Sequence, residues 1–195
     1  IIQNRTPGFG AGVFNGRILE ISNAVITDNT GGSGGGLSNW GVASVSSTTI
    51  SENHARISGG GFNNSVGVMT LESSTVNRNE SAMGGGFRNW GRLHVKNTTV
   101  SDNTANLGGG IESRGGLTLD SSTVSSNKAK EGGGLAVIYL VQNAGTTLED
   151  TVVADNLASK GPDCVGRARS SGHNVIGTSA DCEFMAVEGD TIQID

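Results

Sequence analysis

The chain has 195 residues, of which 32 are glycine, about 16% and more than twice the usual share. Apolar residues are 34%, aromatics 4%, and the net charge is −5, with two cysteines and two prolines. This composition excludes a zinc ribbon or multi-disulfide scaffold, a collagen with glycine at every third position, and a nucleic-acid binder, which needs a basic excess or stripe. A transmembrane helix is excluded too, because the longest apolar run is residues 135–141.

In chain order, the sequence repeats itself. Gly10-Ala11-Gly12 is followed by glycine triplets that begin at Gly34, Gly59, Gly84, Gly108 and Gly132, at intervals of 24 or 25 residues. One inward apolar residue follows each: Val13, Leu37, Phe62, Phe87, Ile111 and Leu135. The next segment alternates, as in Met69-Thr70-Leu71, Leu93-His94-Val95 and Leu117-Thr118-Leu119. That is the period-two pattern of a half-buried strand. A third segment holds one β-branched residue between polar ones: Ile26, Ile50, Val76, Val100, Val124 and Val153. It closes on a marker asparagine: Asn29, Asn53, Asn79, Asn103, Asn127 and Asn156. No segment has helical periodicity.

Three short strands per repeat predict an all-β parallel β-helix (solenoid) of about seven coils of roughly 24 residues. At a strand spacing of about 4.8 Å the rod would be about 34 Å long. Glycines would turn the corners. The six marker asparagines would stack as an amide ladder. A row through Thr49, Thr75, Thr99 and Thr123 would form a wetted face, with an ice-binding array as a third functional reading.

The coils fill residues 1–160, and residues 161–195 read as an irregular C-terminal coil or cap. Cys164 and Cys182 are 18 apart. A disulfide between them would staple that last coil, contributing about 3 kcal/mol by chain entropy, and would fit an oxidising compartment. Two free thiols are the alternative. The coil from Gly132 is the longest, and its apolar residues 135–141 need a cover, which the segment after Cys182 could supply.

Trp40 and Trp90 share a repeat position two coils apart, about 10 Å by strand spacing. With Arg88 and Arg92 beside them they form a candidate patch for a glycan or protein ligand; the alternative is that each ring covers a corner. Asp28, Glu52, Asp102 and Asp155 precede marker asparagines, with Arg78 and Ser126 interrupting the row. Carboxylate pairs do acid/base work in glycoside hydrolysis, but a single interrupted line reads as polar turn residues. His54, His94 and His173 fall at unrelated repeat positions and read as surface residues. No catalytic set, cofactor motif or metal motif is present.

The paired motifs, such as GGGFRNWG at 84–91 with TTVSDN at 98–103, resemble the right-handed β-helix repeats of bacterial secreted and surface proteins. They are similar to those of the polymorphic outer-membrane proteins, with Ile or Val where that family's FxxN motif has Phe. The end of the chain, from Pro162-Asp163-Cys164 through Ser171-Gly172-His173-Asn174 to Gly189-Asp190, resembles a closing segment of large bacterial β-helix proteins that carry a sorting or anchoring domain. The resemblance implies that the parallel β-helix is right-handed, a secreted or cell-surface location and a piece of a longer protein. It implies no activity. The expected function is therefore a non-catalytic surface stalk, adhesin or assembly subunit that could associate end to end through open coil edges. A polysaccharide lyase or glycoside hydrolase on the same fold is the alternative.

Overall fold

The computed structural model describes residues 1–138 and 145–193. Every strand pair in it is parallel, and the strands stack as a β-solenoid of about seven turns. Three rows of strands run the length of the stack. The first contains Val13–Asn15, Leu37–Asn39, Phe62–Asn64, Phe87–Asn89, Ile111–Ser113 and Leu135–Val137. The second contains Ile18–Ser22, Val42–Ser46, Val68–Glu72, Arg92–Lys96, Gly116–Asp120 and Thr146–Glu149. The third begins at Val25–Thr27 and continues through Val152–Ala154 to Val175–Ile176 and Thr191–Ile192. A short fourth row, Thr30–Ser33, His54–Ser58 and Glu80–Met83, lies between the third row and the glycine triplets.

Each strand is short because it has one or two inward residues to bury. Those residues stack on their equivalents one coil away. Leu37, Phe62, Phe87, Ile111 and Leu135 form one fully buried column, and Ile26, Ile50, Val76, Val100, Val124 and Val153 another. The Phe62 and Phe87 rings stack with centroids 4.5 Å apart. Each buried Leu, Ile or Phe contributes about 1.5–3 kcal/mol, so a narrow interior suffices despite the low apolar content. Thr146 is the exception. It takes a fully buried place next to Leu117 in the second row, and its hydroxyl has no hydrogen-bond partner among the described residues.

Three corners per coil use left-handed backbone. One holds Asn23, Ser47, Ser73, Asn97, Ser121, Asp150 and His173, at φ 47–57°. The second holds Asp28, Glu52, Arg78, Asp102, Ser126 and Asp155, at φ 54–59°. The third is the first glycine of each triplet, at φ 61–64°. The second and third glycines are needed for a different reason. A Cβ on Gly85 would lie 2.4 Å from the Gly109 carbonyl oxygen, and one on Gly86 2.6 Å from that of Gly110. Thus only a third of each triplet serves a turn; the rest lets neighbouring coils touch backbone to backbone.

The coil containing Asn64 has one residue more between its first and second strands than the next coil. That extra length is absorbed around exposed Val66, and the pairs Asn64↔Asn89 and Val68↔Arg92 stay in register. Residues after 160 are more regular than the sequence suggests. Cys164–Gly172 is a nine-residue strand that pairs with both Leu135–Val137 and Thr146–Glu149, joining the first and second rows. Cys182–Met185 pairs with it in turn. Cys164 and Cys182 are joined by a disulfide, with Cα atoms 5.3 Å apart. Of the apolar stretch 135–141, Leu135, Ala136 and Val137 are buried, with Cys164 and Val165 as the paired neighbours of the first two. Residues 139–141 lie outside the described residues.

Candidate functional site

Most polar residues that the repeat singles out are occupied in holding coils together. The backbone N–H and side-chain amide of Asn29 both donate to Oδ1 of Asn53, at 3.0 and 2.9 Å. The same pair of bonds links Asn53 to Asn79, Asn79 to Asn103, Asn103 to Asn127 and Asn127 to Asn156. The ladder also extends to residues outside the regular spacing. Asn4 donates to Asn29, and Asn156 donates to Asp163.

Two further ladders escaped the sequence reading. Asn15, Asn39, Asn64 and Asn89 pass side-chain bonds of 2.7–2.8 Å along the first row, and Asn89 then donates to Ser113 Oγ at 3.3 Å. At the corner before the third row, the N–H groups of Thr48, Ser74, Thr98 and Ser122 each donate to the hydroxyl one coil on, ending at Thr151. Thr151 donates to Asn174 Oδ1, and Asn174 donates to Asp190 Oδ1. An asparagine at the same place after the first three triplets was the visible signal for the first of these; the mixed Ser/Thr row carried almost none.

The acidic row lies on left-handed corners, and all six positions are exposed. Glu52 pairs with Arg78 at 3.0 Å. Among the described residues, no group of three or more His, Cys, Asp or Glu could hold a metal ion. The histidines are dispersed: His54 faces Glu80, His94 faces Asp120 and His173 faces Asp150, at 3.7–3.8 Å.

The tryptophan patch separates into three parts. The Trp40 ring meets Phe9 edge-on at 5.5 Å and lies 6.4 Å from Phe14, an aromatic cluster on an exposed corner. Trp90 lies beneath two guanidinium groups, Arg88 at 4.6 Å and Arg114 at 5.2 Å. Both arginines bind Glu112, which is fully buried, Arg88 through Nε to Oε2 at 2.7 Å and Arg114 through Nε to Oε1. Arg88 is thus the counterion of a buried carboxylate, for which an unpaired state would be costly. The sequence offered one clue to this charge. Glu112 occupies the strand position filled by Asn63 and Ala136 in other coils.

Arg92 belongs elsewhere. It opens a strand of the second row and lines a shallow trough of about 420 Å³ with Thr70, His94, Thr118, Thr147 and Arg169. A second, more polar hollow of about 550 Å³ near the first coil is lined by Gln3, Arg5, Asp28, Thr30, Glu52 and His54. There both charge signs meet on one surface.

No family model, curated protein or solved structure matches the chain. No helix among the described residues is long and apolar enough to cross a membrane.

Proposed function

We propose that the chain is a non-catalytic β-solenoid module of a secreted or cell-surface protein, a rigid arm of the stalk or adhesin kind that offers binding surfaces along its sides. One observation carries this reading. The marker asparagines of the repeat are buried and committed to an inter-coil ladder, while Asp28, Glu52, Asp102 and Asp155 stand one per coil on exposed left-handed turns. An acid and a base at the separation that glycoside hydrolysis requires would have to converge on one reacting bond. The Asp28-to-Asp155 row instead runs along an edge, with Glu52 neutralised by Arg78. The disulfide supports an oxidising location.

A depolymerisation screen with pectate, alginate, heparin and neutral glycans tests the reading. The expected result is no turnover. Turnover that disappears in Glu52→Gln or Asp102→Asn would replace the module with an enzyme.

A further inference from the structure

The trough on the second row has the features of a ligand site. Thr70, His94, Thr118, Thr147 and Arg169 are register neighbours on five successive strands. Arg92 pairs with Gly116, and the Gly145 carbonyl accepts from the N–H of Leu117, next to Gly116. The floor therefore carries two glycines where other coils carry Ile18, Val42 and Val68. These glycines are not forced by the backbone. A Cβ on Gly116 would meet nothing nearer than Arg92 Cγ at 3.8 Å, and one on Gly145 nothing nearer than Arg169 Nη1 at 3.9 Å. Glycine here keeps the space beside two arginine side chains open.

Both arginines are available. Among the described residues, neither the Arg92 nor the Arg169 guanidinium has a hydrogen bond or ion pair, unlike those of Arg78, Arg88 and Arg114. The nearby acid Asp120 is held by Lys96 at 3.1 Å. From the strand of Arg92 to that of Arg169 is three strand spacings, about 14 Å. Thr118 and Thr147 lie between, half-buried and facing the trough.

We propose that this trough binds a short acidic oligosaccharide. Arg92 and Arg169 each take a carboxylate or sulfate group, in the paired geometry that suits guanidinium, and Thr118 and Thr147 bond sugar hydroxyls between them. Other ligand classes fit less well. The floor strands are paired on both sides, so no edge is open to an added peptide strand. No Phe, Tyr or Trp among the described residues lines the trough to stack successive nucleic-acid bases. The proposal goes beyond the module reading and holds wherever the protein is located.

The test is calorimetric titration of the intact chain with trigalacturonate, its methyl ester, a heparin tetrasaccharide, inorganic phosphate and oligothymidylate. Saturable binding of an acidic saccharide is expected. It should weaken at least tenfold in Arg92→Ala and in Arg169→Ala, and less in the Arg→Lys variants. Thr118→Val with Thr147→Val should weaken it several-fold, and the methyl ester should not compete. Unchanged melting temperatures in these surface variants separate lost binding from lost folding. The galacturonate and heparin arms distinguish carboxylate from sulfate. The proposal is overturned if no acidic saccharide binds, if the alanine variants bind like the wild type, or if phosphate or oligothymidylate binds more tightly. Turnover of the bound saccharide would defeat the non-catalytic reading and leave this one standing.

Discussion

Asn156 donates both its backbone N–H and its side-chain amide to the same oxygen of Asp163, at 3.0 and 2.9 Å. The other Asp163 oxygen accepts from the N–H of Thr178 at 2.8 Å. Every ladder member from Asn29 to Asn156 both accepts and donates, but a carboxylate only accepts. The hydroxyl ladder likewise ends at a carboxylate, Asp190. Both chains of bonds thus run in one direction and terminate chemically near the C-terminal coil.

Substitution should expose the difference between the end and the interior of the ladder. Asp163→Ala leaves three N–H groups without an acceptor and should cost about 3 kcal/mol, while Asp163→Asn should cost about 1. Asn103→Asp removes the amide that donates to Val76 O and Asn127 Oδ1 and buries an unpaired charge, with an expected loss of about 4 kcal/mol. Urea midpoints for the three variants would rank them, and a milder loss in Asn103→Asp than in Asp163→Asn would contradict the directional ladder.

Glycine positions should divide sharply by what a methyl group meets. Gly85→Ala would force contact with the Gly109 and Thr104 carbonyl oxygens and should cost about 3 kcal/mol. Gly116→Ala has open space and should stay within about 0.5 kcal/mol of the wild type. Thermal unfolding of the two variants side by side checks this.

Thr146→Val should stabilise the fold. The substitution replaces a buried, unpartnered hydroxyl with a methyl group of similar shape, worth about 1 kcal/mol. A rise in the unfolding midpoint without a change in slope is the expected signature.

Acid should loosen the last coil. Burial pushes the Asp190 carboxyl up, but hydrogen bonds from the Val187 N–H, the Ser170 hydroxyl and the Asn174 backbone and side chain outweigh it and hold the group below its ordinary value. A depressed folded value means that this stabilisation is full above the unfolded carboxyl value of about 3.9 and is lost as pH falls through the folded one. Hydrogen exchange at the Asn174 amide should accelerate over that window. In Asp190→Asn the acid-dependent step should vanish.

The repeat period, the strand rows and the main asparagine ladder were legible because each depends on like residues at nearly constant spacing. Asp163 and Asp190 were not, because they enter their ladders 7 and 16 residues after Asn156 and Asn174. A coil out of period leaves no mark in a self-comparison. The tryptophans show a second limit. Trp40 and Trp90 share a backbone position, yet one packs on Phe9 and the other under Arg88 and Arg114. The partner of a surface ring depends on residues from adjoining coils, which the repeat itself does not specify. Arg92 and Arg169 line one trough from strands three spacings apart, and no motif in the chain joins them.

The extra residue at Val66 has a consequence for how such a protein can vary. The corner between the first and second rows accepted an insertion, and both flanking strands kept their partners. Peptide segments grafted at this edge, or gained there over generations, would project from a scaffold whose interior needs no compensating change. Recognition could diversify on that border at nearly constant stability, one coil independent of the next.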